Sequence, residues 1–168
     1  RSFHVTGVQT CALPISSVVG EVGKFGAKVL HVANNPELND YAPMATGRAL
    51  AQLADQLKPA AVIAAGTPRG NEQLAHLAAF KDLPMAAECT NITLGNPHKV
   101  VRARWGGNLL EDANVHADLL IASVMALAFE PEEVGGNAEV KEFTVNLQSE
   151  DILVKVLDRS EEHTSELQ

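Results

Sequence analysis

Lys58-Pro-Ala-Ala-Val-Ile-Ala-Ala-Gly-Thr-Pro-Arg-Gly70 combines a helix stop, a buried strand and a glycine-bearing loop in one short run. Proline at 59 cannot continue a helix, and Ala60 to Ala65 is an apolar run of strand length. Gly66 to Gly70 then reads as a connection. Beyond it, Leu74, Leu77 and Ala78 recur at helical spacing and share one face. Working backward, Leu50, Leu53, Ala54 and Leu57 sit at i, i+3, i+4 and i+7, so 42–57 is predicted as an amphipathic helix, with Asp40 as candidate N-cap and Pro43 in its first turn. Before that helix, Ala27-Lys-Val-Leu-His-Val-Ala33 runs into Asn34-Asn35-Pro36, a strand followed by a turn. Strand, helix, strand, loop, helix is the succession of a parallel α/β sheet, because parallel neighbours need a crossover.

After Asp82 the rhythm changes. The runs 84–94, 99–105 and 117–124 are separated by turns too short to hold helices, so they are expected to be largely antiparallel strands. Glu130-Pro-Glu-Glu-Val-Gly-Gly-Asn137 is acidic and glycine-rich, a surface excursion. Residues 139–147 alternate loosely, and Ile152, Val154 and Val156 alternate cleanly, suggesting extension strands or an edge linker. The expected class is α/β, a three-layer-like parallel sheet with helices, extended by C-terminal antiparallel strands and incomplete at its N-terminus.

The two ends stand apart. Written back into codons, residues 159–168 give an opposite strand whose translation in one frame is Gly7 to Ile15, preceded by part of the Thr6 codon. Both ends resemble translated sequencing adapter, so 1–16 and 159–168 are expected to be adapter-derived, and 17–158 the native core. Sequence added in this way is set aside in fold reasoning. The full chain of 168 residues carries 13 Lys+Arg against 21 Asp+Glu, a net charge of −8, and removing both ends leaves it acidic. That balance argues against a nucleic-acid footprint. Cys11 falls in the left end, which leaves Cys89 alone and no disulfide framework. No apolar run approaches the roughly 18 residues that a membrane span needs.

The ordered segments resemble a family. Residues 26–41, Lys58 to Gly66, Gly70-Asn-Glu with Leu77-Ala-Ala, Leu83 to Thr90, and above all Arg102-Ala-Arg-Trp-Gly-Gly-Asn108 are similar to the N-terminal domain of the electron transfer flavoprotein alpha subunit. The run Phe143 to Asp158 resembles the stretch leading into that family's second domain. The resemblance implies an electron carrier, not an enzyme. In it, alpha and beta chains form a heterodimer that passes electrons from flavin dehydrogenases to a quinone-reducing acceptor. It also implies an FAD carried mainly on a C-terminal domain after Asp158, so no cofactor is expected on this fragment, and a first strand, helix and second strand before Ser17. The implied location is cytoplasmic, or the mitochondrial matrix in a eukaryote. Departures are Asn71 and His76, where the family commonly has basic residues, and Val124-Met-Ala-Leu127, where it tends to have Val-Arg followed by Gly. Two alternatives stand beside it: a small nucleotide-binding α/β domain of universal-stress-like type, and an oxidoreductase domain whose active site lies elsewhere.

Candidate sites are few. Gly66, Thr67, Arg69 and Gly70 form a strand-to-helix loop of the kind that can hold a phosphate on backbone N–H groups, although it matches neither a P-loop nor GxGxxG. Trp105, Gly106, Gly107 and Asn108 read as a tight turn with a glycine at positive φ. Arg102 and Arg104 share a strand face and are expected to pair with Glu111 or Asp112 or to face a partner; the set 102 and 105–108 is assigned to structure or subunit contact. His31, His76, His98 and His116 lack metal-ligand spacing. Cys89, in an apolar strand, is read as packing. No catalytic constellation and no metal site emerges.

Overall fold

The computed structural model describes residues 5–9, 15–154 and 156. Its strands fall into two sheets. The first is wholly parallel, in the order β1 (Val5–Gln9), β2 (Ala27–Ala33), β8 (Glu139–Phe143). The second runs β3 (Ala61–Ala65), β7 (Leu120–Val124), β4 (Met85–Thr93), β5 (His98–Arg104), β6 (Leu109–Val115). Three helices complete the α/β architecture: α1 (Ile15–Lys24), α2 (Pro43–Leu57) and α3 (Pro68–Lys81). β1 and the first residues of α1 lie within the segment 1–16; the segment 159–168 lies outside the described residues.

Helix α2 joins the two sheets. At its N-terminal half Ala45 and Ala49 pack with Ala33 of β2 and with Leu38 and Val145. At its C-terminal half Ala51 and Ala54 pack with Leu74, Leu77 and Ala78 of α3 and with Ile121 of β7. The run of alanines lets both partners approach the helix closely. Lys58 closes α2 in the left-handed conformation, its N–H donating to Ala54 O at 2.8 Å, the usual way a chain leaves a helix. Pro43 stands at the helix start with Ala42 as N-cap, so Asp40 does not serve that role.

Strand β7 departs from the antiparallel expectation: it is parallel to both β3 and β4. Leu120, Ile121, Ala122 and Ser123 are fully buried. Ile121 faces the helices, while Leu120 and Ala122 pack with Ala86, Cys89 and Val100 and against Ala113 and Val115. The β4–β5–β6 meander thus supplies the second cover of the central strand. Burial on both faces is what makes 119–122 a continuous apolar run. Among the described strands only β4–β5 and β5–β6 are antiparallel.

Two other expectations change. β8 joins the parallel sheet beside β2 instead of extending the antiparallel part. Ser149–Ile152 is a 3-10 turn, not a strand, with a capping box in which Gln148 N–H donates to Asp151 Oδ2 at 2.9 Å. The exposed 130–137 excursion is anchored at its far end, where the N–H groups of Val134 and Gly135 both donate to Lys24 O at 3.0 Å and so cap the C-terminus of α1. Gly23 has no room for a side chain there, since a Cβ would meet Gly136 O at 2.8 Å.

Candidate functional site

The sequence candidates lie on two different turns of the five-stranded sheet. The first joins β3 to α3. Thr67 is the N-cap of α3, its side-chain oxygen accepting from Gly70 N–H at 3.0 Å, and Pro68 already occupies the first turn. Three further N–H groups are engaged: Gly66 N–H donates to Val124 O at 2.7 Å, Thr67 N–H to Ala65 O and Asn71 N–H to Thr67 O. Beside them sits a carboxylate. Glu88 Oε1 lies where a Cβ on Gly66 would be only 2.6 Å away, and it accepts from Asn71 Nδ2 at 2.9 Å. Glu88 itself has φ 57 at an irregularity of β4, with its N–H donating to the buried Ser123 hydroxyl at 3.0 Å. The bonded amides of Gly66, Thr67 and Gly70 and the neighbouring carboxylate both weigh against an anion at this loop. Arg69 is exposed near Tyr41, whose hydroxyl donates to Glu72 at 2.6 Å. That bond to a carboxylate holds the phenol above its usual range, and the Arg69 charge works against the shift.

The second turn joins β5 to β6. Trp105, Gly106 and Gly107 all have positive φ, at 55, 63 and 88. Gly107 N–H donates to Arg104 O at 3.1 Å, and Asn108 closes the loop on itself, its Nδ2 donating to Trp105 O at 2.7 Å. The Trp105 ring is 82% exposed, and Leu109 and Leu110 follow it at 54% and 69%. Beneath the turn Arg102 Nη2 bonds Glu111 Oε2 at 2.7 Å, and Arg104 approaches the same oxygen at 3.4 Å. The expected pairing with Glu111 is therefore present; Asp112, one residue on, takes no part in it. The pairing fixes the hairpin register and leaves the indole free.

Sequence reasoning missed one polar constellation. Arg48 of α2 bonds both carboxylate oxygens of Asp151 at 3.1 Å, and its guanidinium lies 3.9 Å over the Phe80 ring. Asp151 is fully buried. Nearby, Gln52 and Asn146 exchange two bonds, Nε2 to Asn146 O at 2.6 Å and Asn146 N–H to Gln52 Oε1 at 3.0 Å. These contacts strap the segment after β8 onto α2. Partners about a hundred residues apart carry no local signal in sequence.

Cys89 is buried, and burial pushes its thiol up against the opposing Arg102 charge, so it is not poised as a thiolate. Among the described residues no cluster of three or more His, Cys, Asp or Glu is placed to hold a metal. No described helix is long and apolar enough to cross a membrane.

The described residues thus form an α/β domain of mixed parallel and antiparallel strands with three helices, the architecture of a domain and not of a single motif. The family described as electron transfer flavoprotein domain matches residues 4–148, and the chain belongs to it. It is 25% identical over 167 residues to an electron transfer flavoprotein subunit alpha of Thermoanaerobacterium thermosaccharolyticum, covering 93% of this chain and 50% of that protein. It is 28% identical over 160 residues to protein FixB of Clostridium saccharobutylicum, covering 90% of this chain and 48% of that protein. The chain thus spans about half the length of these curated relatives.

Proposed function

We propose that this chain is the alpha-type domain of an electron transfer flavoprotein, a scaffold that binds a beta subunit and supports an FAD-carrying domain. It serves an electron carrier that takes electrons from flavin dehydrogenases to a quinone-reducing acceptor, and performs no chemistry itself. The observation that carries the reading is the β5–β6 turn. Trp105 is 82% exposed at a turn of defined backbone conformation, and tryptophan is enriched among the residues that carry association energy. Family membership and the alpha-subunit relative support it. FAD is placed on a C-terminal domain of the parent subunit, as the family resemblance implies; the bonded amides of Gly66, Thr67 and Gly70 and the carboxylate beside them support that placement. The adapter reading of 1–16 and 159–168 belongs to the same proposal, and sequencing the genomic locus across both junctions tests it.

The functional test uses the longer parent subunit co-expressed with its beta chain. Trp105→Ala is expected to lower the heterodimer fraction on size-exclusion chromatography at least tenfold at micromolar concentration. The flavin absorbance of the complex that does assemble should be unchanged. Normal assembly with loss only of electron uptake from a dehydrogenase would make the turn a redox-partner site and refute the reading.

A further inference from the structure

Away from the hairpin, the loop that follows β7 is built in an unusual way. Met125 N–H donates to Cys89 O at 3.0 Å and Ala128 N–H to Met125 O at 3.2 Å, so the base of the loop is fixed. At its tip Leu127 adopts φ 62 and is 100% exposed. Leucine in the left-handed region is strained, and here no burial offsets the strain. Phe129 is half-exposed beside it, and Glu130, Glu132 and Glu133 follow, all exposed. None of the three enters an ion pair among the described residues. A held apolar tip with an acidic stem is the complement of an apolar stripe flanked by cations.

We propose that residues 125–133 form a docking element for a basic amphipathic segment of another protein, with Leu127 and Phe129 on its apolar stripe and the three glutamates facing its Lys and Arg side chains. Charge selects this occupant. The net charge of −8 opposes a second copy of the chain, and the glutamates oppose an anionic lipid surface or a nucleic acid. The proposal is independent of the hairpin's role, because the two elements share no residue.

The test measures fluorescence anisotropy of three labelled helical peptides of Leu/Lys, Leu/Gln and Leu/Glu composition against the chain. The Leu/Lys peptide is expected to bind best and to weaken as salt rises. Leu127→Asp should lower its affinity at least tenfold, although that change adds negative charge and would strengthen unspecific attraction. Replacing all three glutamates by lysine should move the preference to the Leu/Glu peptide. Circular dichroism melts confirm that the variants are folded. Affinity unaltered in Leu127→Asp, no binding of the Leu/Lys peptide at millimolar concentration, or self-association in sedimentation that Leu127→Asp abolishes would each overturn the proposal.

Discussion

The two glycine-bearing turns of the five-stranded sheet use glycine for opposite reasons. At the β3–α3 junction Gly66 and Gly70 have no room: a Cβ on Gly66 would lie 2.6 Å from Glu88 and 2.8 Å from Val124 O, and one on Gly70 would run into Ala65 O. At the β5–β6 turn Gly106 and Gly107 have nothing within 4 Å, but their φ values of 63 and 88 exclude most side chains. One turn is closed by packing and the other is open with a constrained backbone. At the closed turn the need for glycine comes from neighbouring atoms; at the open turn it comes from the backbone alone, with the non-glycine Trp105 also held at φ 55. In one sequence the two patterns look alike, since both are short glycine pairs after a strand.

The largest effect should come from breaking the closed turn. Gly70→Val drives two methyls toward Ala65 O and the Thr67 cap, and should cost about 3 kcal/mol or more, the upper range for overpacking plus loss of a cap; urea melts read it directly. If Gly70→Val is tolerated within about 0.5 kcal/mol, the closed turn is not closed and the contrast fails. Next comes the strap on α2. Arg48→Met leaves the buried Asp151 carboxylate without its cation, and the fall should be about 2–3 kcal/mol. That is under the full range for a broken buried pair because Arg48 is itself a third exposed. Asp151→Asn in the same background should recover part of that loss, which distinguishes a stranded charge from lost packing.

At the open turn Gly107→Val should cost only about 1–2 kcal/mol, from strain at positive φ with no clash. Gly107→Asn should cost clearly less, since asparagine visits that region more readily. Equal losses for the two would mean crowding, not conformation, sets the choice. The smallest effect concerns β2. Burial, and after it the Lys141 charge, hold the His31 pKa below its ordinary value, with Glu139 opposing. The unfolded chain therefore binds a proton more readily than the folded one. Stability from this group is fully present above pH 6.5 and declines as pH falls from there through the lowered folded pKa. His31→Asn should flatten that acid limb of a thermal melt series, and an unchanged slope would assign the acid sensitivity elsewhere.

Much of the parallel part was legible because its signals are local. Strand–helix–strand alternation, Pro59, the Leu74/Leu77/Ala78 face and the positive-φ turn at 105–108 need only neighbours in sequence. β6 was missed because its pattern is inverted: Leu110 faces solvent while Glu111 turns inward to Arg102. The direction of β7 was misread because a run buried on both faces carries no information about pairing. Ile152, Val154 and Val156 imitate strand alternation, but the Gln148–Asp151 capping box and the Arg48 pair override it. The same limit applies to the Gly66–Gly70 loop: the carboxylate beside it arrives from β4, and nothing within the loop announces it.

The strap on α2 also sets how the domain would bear mechanical load. Tension applied to the chain beyond Val154 meets the Arg48–Asp151 pair and the two Gln52–Asn146 bonds before it reaches β8. Behind them stands β8, parallel to β2, so that its backbone bonds must yield together in shear and cannot open one at a time. A sheet strand guarded by a side-chain latch on a helix spanning both sheets makes a stiff mount.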